Sequence, residues 1–302
     1  MLVIGSRGSD LALAQTRWIQ NRILELFPDL EVSVRIVKTS GDRDTSSSIR
    51  AGSSVGVFVK ELERALLDNE IDMAVHSMKD LPTRIQAGLE IAAVPEREEV
   101  RDALVTPGKT GFSSLGPNSR IGTGSIRRQA QILALRPDLK VVDIRGNINT
   151  RLEKLGNGSY DAIILAVAGL NRLNLQNRIS EMFTLEQMLP APGQGALAVE
   201  TRSNDPKTMN VAAALNHGPT SIAVTAERVF LRRMEGGCNV PVAVHAIVED
   251  SWISIDGLVI SPDGSRTIRK SVRERRESAA QAAELLAGSL LERGGRSILN
   301  AL

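Results

Sequence analysis

The sequence predicts an α/β protein, with two α/β lobes facing across a cleft and a smaller third domain built on an antiparallel sheet. Three observations carry this prediction. Short apolar runs alternate with amphipathic helical stretches through the first half of the chain. Two pairs of segments echo each other: Ile4-Gly5-Ser6-Arg7-Gly8-Ser9 with Ile121-Gly122-Thr123-Gly124-Ser125, and Asp72-Met73-Ala74-Val75 with Asp161-Ala162-Ile163-Ile164. After residue 220 the alternation stops, and three strands follow one another before a closing helix.

Leu2–Gly5 reads as a short buried strand that runs into a helix over Asp10–Phe27, with Ser9 as N-cap and Leu11, Ala14, Trp18 and Leu26 on or near one face. Glu31–Lys38 alternates through Val32, Val34 and Ile36, as a strand does. Phe58–Asn69 has helical periodicity, and Asp72–His76 is a buried strand. The theme then repeats with strand Arg120–Gly122, helix Ser125–Arg136, strand Lys140–Ile144, helix Ile148–Gly156 and strand Tyr160–Leu165. Thr220–Arg233 is a helix. Val242–Val248, Trp252–Val259 and Thr267–Val272 are strands, with a turn at Ser261-Pro262-Asp263-Gly264, and Ser278–Glu292 closes as an Ala/Leu-rich helix. Thr39–Ser54 has neither period and reads as a long loop, either a lid or an inert connection.

Composition excludes several classes. One cysteine leaves no internal disulfide, and no cysteine–histidine cluster offers a zinc site, so no metal is expected. A net charge of +2 gives no overall pull toward polyanions, and aromatic residues at 3% provide few stacking platforms, so neither nucleic acid nor membrane is expected as a partner. No signal-peptide pattern and no apolar run of membrane-spanning length occurs, so the expected location is cytoplasmic. The sequence holds no phosphate-binding P-loop, no dinucleotide-binding glycine motif and no Gly-x-Ser-x-Gly elbow. Of 37 basic residues only eight are lysine, a bias toward the bidentate fork that grips carboxylates, or else the imprint of genomic base composition.

Chemistry gathers where this outline leaves loops. Cys238 sits in Glu235-Gly-Gly-Cys-Asn-Val-Pro241, a turn that presents its sulfur to a cleft; the alternative is a small packed hydrophobe. His76-Ser77-Met78-Lys79-Asp80-Leu81-Pro82 follows a buried strand. There Lys79 pairs with an anion, Ser77 donates a hydrogen bond and Asp80 steadies a cation or moves protons, or else the segment is a polar turn with a local ion pair. Thr123-Gly124-Ser125-Ile126-Arg127-Arg128 joins a helix N-terminus to two guanidinium forks, and Arg145-Gly146-Asn147, Arg151 and Arg172 follow at loop or helix-start positions. Arginines that converge in a cleft hold a multiply charged carboxylate ligand more firmly than exposed ones.

These segments resemble the porphobilinogen deaminase, or hydroxymethylbilane synthase, family from Ile4 to nearly the end of the chain. The most specific matches are Phe58-Val-Lys-Glu-Leu-Glu63, Ala74-Val-His-Ser-Met-Lys-Asp80, Gly122-Thr-Gly-Ser-Ile-Arg-Arg128, Arg145-Gly-Asn147, Asp161–Gly169, Pro192-Gly-Gln-Gly-Ala196 and the cysteine segment. The resemblance implies a monomeric transferase of tetrapyrrole and heme biosynthesis. It would join four porphobilinogen units into hydroxymethylbilane, releasing ammonia, on a dipyrromethane cofactor held by a thioether to Cys238. It further implies Asp80 as the catalytic carboxylate; Cys238, Ser77, Lys79, Ser125, Arg127, Arg128, Arg145 and Gln194 as cofactor-binding residues; and Arg7, Ser9, Gln15, Arg151 and Arg172 as substrate-binding residues. The implied fold is two lobes of the type II periplasmic-binding-protein kind, over residues 1–95 with 196–216 and residues 100–190, and a C-terminal α+β domain over 217–302. Two departures stand out: Ser54-Val55-Gly56 replaces the family's usual Gly-Lys-Gly, and Gly124 replaces a usual serine.

Two other classes are weighed against this one. A two-lobed binding protein without chemistry fits the echoes and the arginines but not the third domain with its cysteine. A cysteine hydrolase would need His76 or His217 to reach the sulfur. Only the deaminase releases ammonia from porphobilinogen and accumulates a linear tetrapyrrole.

Overall fold

A computed structural model describes residues 1–37, 59–234 and 240–302. The expected lid at Thr39–Ser54, the Val55 departure and Cys238 itself lie outside the described residues. The chain folds as two compact units, Met1–Glu98 with Ala196–Ser221 and Glu99–Gly195 with Ile222–Leu302.

In the first unit β1 (Leu2–Ser6), β2 (Val32–Ile36) and β3 (Met73–Ser77) run parallel. With β4 (Leu89–Ala93) and β10 (Leu197–Arg202) they form a five-stranded sheet in the order β2-β1-β3-β10-β4. Helix α1 (Asp10–Leu26) starts where Ser9 Oγ accepts the Ala12 N–H at 3.4 Å, and it buries Ile19 and Ile23 against Ile4, Met73 and Val75. Helix α2 (Lys60–Leu67) covers the other face, where Leu62, Ala65 and Leu66 meet Ile71 and Ala74. A Cβ at Gly5 would lie 2.2 Å from Ile71 Cδ1, so any larger residue there would force the Ile71 side chain to shift.

The second unit repeats the plan. β5 (Asp102–Val105), β6 (Arg120–Gly122), β7 (Lys140–Val142), β8 (Ala162–Ala166) and β9 (Glu181–Met182) pair in the order β7-β6-β8-β5-β9. In both sheets a parallel trio is extended by a strand antiparallel to its neighbours: β10 in the first, β5 in the second. Helices α3 (Ile126–Leu135), α4 (Ile148–Gly156) and α5 (Val167–Arg172) follow β6, β7 and β8. The α/β class and the two sheets with parallel strands agree with the sequence reading. That reading passed over β4, β5, β9 and β10; Glu200 interrupts the apolar run of β10, and β5 is only four residues long.

The C-terminal segment supplies the expected antiparallel sheet, β11 (Val242–Glu249), β12 (Trp252–Ile260) and β13 (Thr267–Arg275). Helices α7 (Gly218–Arg233) and α8 (Ala279–Leu290) close its core around Phe230, Val244, Ile255, Leu286 and Leu290. Ala130 of α3 and Leu189 pack on Ala243, Leu258 and Ile260, which ties this sheet to the arginine-bearing part of the same unit. Helix α6 (Pro206–Ala213), capped by Asp205, lies after β10 in the first unit. No helix among the described residues is long and apolar enough to cross a membrane.

Candidate active site

In the first unit the site grows from the end of β3. A single 3₁₀ turn, Met78–Asp80, follows Ser77; the Met78 N–H donates to Ala196 O at 3.0 Å, and the Leu81 N–H returns to Met78 O at 3.2 Å. Met78 and Leu81 are buried, which leaves Lys79 half-buried and Asp80 exposed. The sequence reading placed its catalytic carboxylate here, and the fold presents it to solvent on a turn held at both ends. Gln15 Nε2 donates to Ser77 Oγ at 2.9 Å, so these two candidates stand side by side. Since β1 and β3 are parallel neighbours, the Arg7–Ser9 turn opens at the same sheet edge as the Asp80 turn. Arg7 is half-buried there, and Ser9 is committed to capping α1.

In the second unit the same edge logic gathers the arginines. β6, β7 and β8 are parallel, so Ser125, the Arg145–Arg151 segment and α5, which carries Arg172, all follow strand ends on one side of the sheet. Ser125 Oγ accepts the Arg128 N–H at 3.5 Å and caps α3. Asn147 caps α4 by accepting the Thr150 N–H at 2.9 Å. Arg145 is exposed and reaches Asp143 at 2.9 Å, Arg151 Nε donates to Gly146 O at 2.8 Å, and Arg172 donates to Gly195 O at 2.7 Å. A Cβ at Gly124 would lie 2.9 Å from Asp143 Oδ1 and 3.2 Å from Ile144 O, which accounts for glycine at that departure from the family pattern.

Arg127 and Arg128 differ from the sequence-based picture of open forks. Both are buried around Asp102, which is fully buried and ion-paired to Arg127 at 2.8 Å and to Arg128 at 2.7 Å. Arg127 also donates to Leu189 O at 2.7 Å, Arg128 to Ile164 O at 3.1 Å, and Gln194 Nε2 to Asp102 Oδ1 at 2.9 Å. Burial pushes the Asp102 carboxyl up, but the two adjacent guanidinium charges and their hydrogen bonds outweigh it and hold it far below the usual carboxylate range. Asp102 was not singled out in the sequence; an acid opening the run Asp102-Ala-Leu-Val105 was the available signal. The internal acceptors take two N–H groups from Arg127 and three from Arg128, and a guanidinium has five.

His76 Nε2 lies 2.9 Å from Glu200, and His217 Nδ1 lies 2.8 Å from Thr220 Oγ1. Among the described residues no group of three or more metal-ligating side chains is found.

Comparison with known proteins adds the following. Residues 2–210 match the family described as porphobilinogen deaminase, dipyromethane cofactor binding domain, and residues 221–292 match the porphobilinogen deaminase C-terminal domain. The porphobilinogen deaminase of Thermus thermophilus is 48% identical over 300 residues, covering 99% of this chain and 98% of that protein. The porphobilinogen deaminase of Deinococcus radiodurans is 44% identical over 304 residues, covering 100% and 98%. Among solved structures, the substrate binding domain of a putative molybdenum ABC transporter from Clostridium difficile shows 9% identity at a TM-score of 0.45, covering 72% of this chain and 92% of that one.

Proposed function

Since the chain belongs to the porphobilinogen deaminase family, we propose that it joins four porphobilinogen units head to tail into hydroxymethylbilane, releasing one ammonia per unit. The observation that carries this is the ordered match of both family domains along one chain. Each addition breaks the C–N bond of an aminomethyl group, forms a C–C bond at a pyrrole α-carbon and releases that carbon's proton; one water then cleaves the finished tetrapyrrole from its primer and becomes the hydroxyl of hydroxymethylbilane, so ammonia is the only by-product.

The dipyrromethane of the family's cofactor-binding domain carries acetate and propionate groups, which call for cations and N–H donors. In the second unit Ser125 at the N-terminus of α3, Arg127, Arg128 and Arg145 would offer such donors, and in the first unit Lys79 would. When bound, the dipyrromethane supplies a free pyrrole α-carbon as the starting nucleophile. Cys238 would hold it by a thioether, since a thiolate is the soft nucleophile suited to an electron-poor methylene carbon. Ser77 and Gln194 would orient it, Gln194 through its place beside Asp102. Arg7, Ser9, Gln15, Arg151 and Arg172 would receive the carboxylates of incoming units.

Asp80 would stabilise positive charge on a pyrrole nitrogen as ammonia departs, and would assist the loss of the α-proton. Its exposure on a pinned turn supports this role, because a general acid–base group needs both access and a fixed position. Incubation of the purified chain with porphobilinogen tests the proposal: ammonia and a linear tetrapyrrole should accumulate. The intact mass should exceed that of the polypeptide by two pyrrole units, and a bare polypeptide mass with no ammonia release sinks the reading.

A further inference from the structure

The proposed chemistry leaves one group of ionisable residues without a task. On the α2 face of the first sheet, an aliphatic layer of Leu62, Leu66, Ile71 and Ala74 encloses Glu63, His76 and Glu200, none more than 6% exposed. His76 and Glu200 meet at 2.9 Å across β3 and β10, although they are 124 residues apart in the chain. The other Glu200 oxygen is buried and has no hydrogen-bond partner among the described residues. A carboxylate in such a place is costly, and an apolar pair of similar size would pack there at lower cost.

What the pair supplies is register. Leu197 and Val199 of β10 face the other core, with Ile4, Met73 and Val75. A slip of one residue would carry Glu200 into that apolar layer and Val199 into the place opposite His76. With the pair formed, Ala198 stands opposite His76 and Leu197 opposite Ser77, and one step further Ala196 O receives the Met78 N–H at 3.0 Å. The Met78–Asp80 turn hangs from that bond. Near Glu63 the charged groups are Glu200 on β10, His76 on β3 and Lys60 on α2 itself. β1 carries no titratable side chain, and Glu90 of β4 stands opposite Thr201.

We infer that the His76–Glu200 pair positions Asp80: by fixing the β3–β10 register it sets where the Met78–Asp80 turn projects, and so acts on turnover and not on substrate affinity. The inference rests on the reading of Asp80 as the catalytic carboxylate. Both residues are positioning residues, since neither reaches the reacting atoms.

A double-mutant cycle on the full-length holoenzyme tests it, with Glu200→Gln, Asp80→Asn and the combination assayed on porphobilinogen. Glu200→Gln should lower kcat by about tenfold or more with KM within about twofold and cofactor mass unchanged, as a small misplacement of a reacting group does. In the Asp80→Asn background the same change should alter the residual rate less than about twofold, because it acts only through Asp80. Equal fold losses in both backgrounds would overturn the proposal and leave a merely structural pair, as would a Glu200→Gln enzyme with normal kcat. Near-normal turnover of Asp80→Asn alone would instead sink the reading of Asp80, and the proposal with it. Should Glu200→Gln fail to fold, His76→Asn takes its place in the cycle; if neither folds, the pair is a folding element only and the positioning role is lost.

Discussion

Asp72 and Asp161 make the same two backbone contacts in different sheets. The Asp72 carboxylate accepts the Val3 N–H at 2.8 Å while its own N–H donates to Val3 O at 2.8 Å. Asp161 repeats this on Arg120, at 2.6 and 2.9 Å. Each aspartate thus clamps the third strand of a parallel trio to the start of the first, which gives the sequence echo a physical cause. The two clamps differ in what else they hold. Asp72 also pairs with Arg202, which is largely buried and donates to Leu66 O and Ile71 O, whereas Asp161 pairs with a solvent-exposed Arg120. Urea denaturation should show a loss of about 2 kcal/mol for Asp72→Ala and about 1 kcal/mol for Asp161→Ala.

Asp102→Asn should be more damaging. It leaves two buried guanidinium groups without their counter-charge, at a cost of about 3 kcal/mol at neutral pH. Because the Asp102 carboxyl is depressed in the folded state, its contribution is present above the unfolded value of about 3.9 and is lost only as pH falls through the folded value. Denaturation curves of wild type and variant should therefore stay separated from pH 7 down to pH 4 and converge in stronger acid. A constant gap at every pH would show that the carboxylate's charge is not what matters.

Glu63 has the opposite sign. Burial first, and the Glu200 charge second, raise its carboxyl above the ordinary value. Its stabilising balance is complete below the unfolded value and declines as pH rises through the folded one. Glu63→Gln, which cannot ionise, should therefore be more stable than wild type at pH 8 and show no gain at pH 4. Chemical denaturation at the two pH values is the check, and greater stability at pH 4 alone would contradict it.

Asp80→Asn should leave the dipyrromethane bound and lower kcat by about a thousandfold, the range expected when charge stabilisation and proton transfer are lost together. Rapid-quench measurement of ammonia, with the protein mass in parallel, separates loss of chemistry from loss of cofactor.

Cys238→Ala should fold, since the core beneath the C-terminal sheet is built by Phe230, Val244 and Leu286. Intact-mass spectrometry should find the bare polypeptide. Two pyrrole units still attached to the variant would show that the anchor is elsewhere.

Most of the elements were legible because their signals are local. Ser9 announced a helix start through its own hydroxyl, and the predicted strand and helix spans differ from the observed ones by a few residues. The Asp80 turn was legible for the same reason: a buried strand, the polar residues Ser77, Lys79 and Asp80, and Pro82 succeed one another within a short stretch. Arg127 and Arg128 were recognised as neighbours at a helix start, but not as the two arms around Asp102. Nothing near them in sequence names an acid on β5 as their partner. Glu200 and Glu63 were read as ordinary charged residues of a strand and a helix.

The sequence by itself determined which segments become strand, helix or turn, and which of them carry an acid, an arginine or a thiol, because periodicity, capping and turn preference act over a few residues. Only the tertiary structure decided that β5 and β10 enter their sheets antiparallel, and that Asp102 and Glu200 are enclosed with Arg127, Arg128 and His76. Hydrophobic patterning says which face of an element is buried, but not what lies across from it. The cost of a buried charge is met by a partner that the fold brings from 25 to 124 residues away.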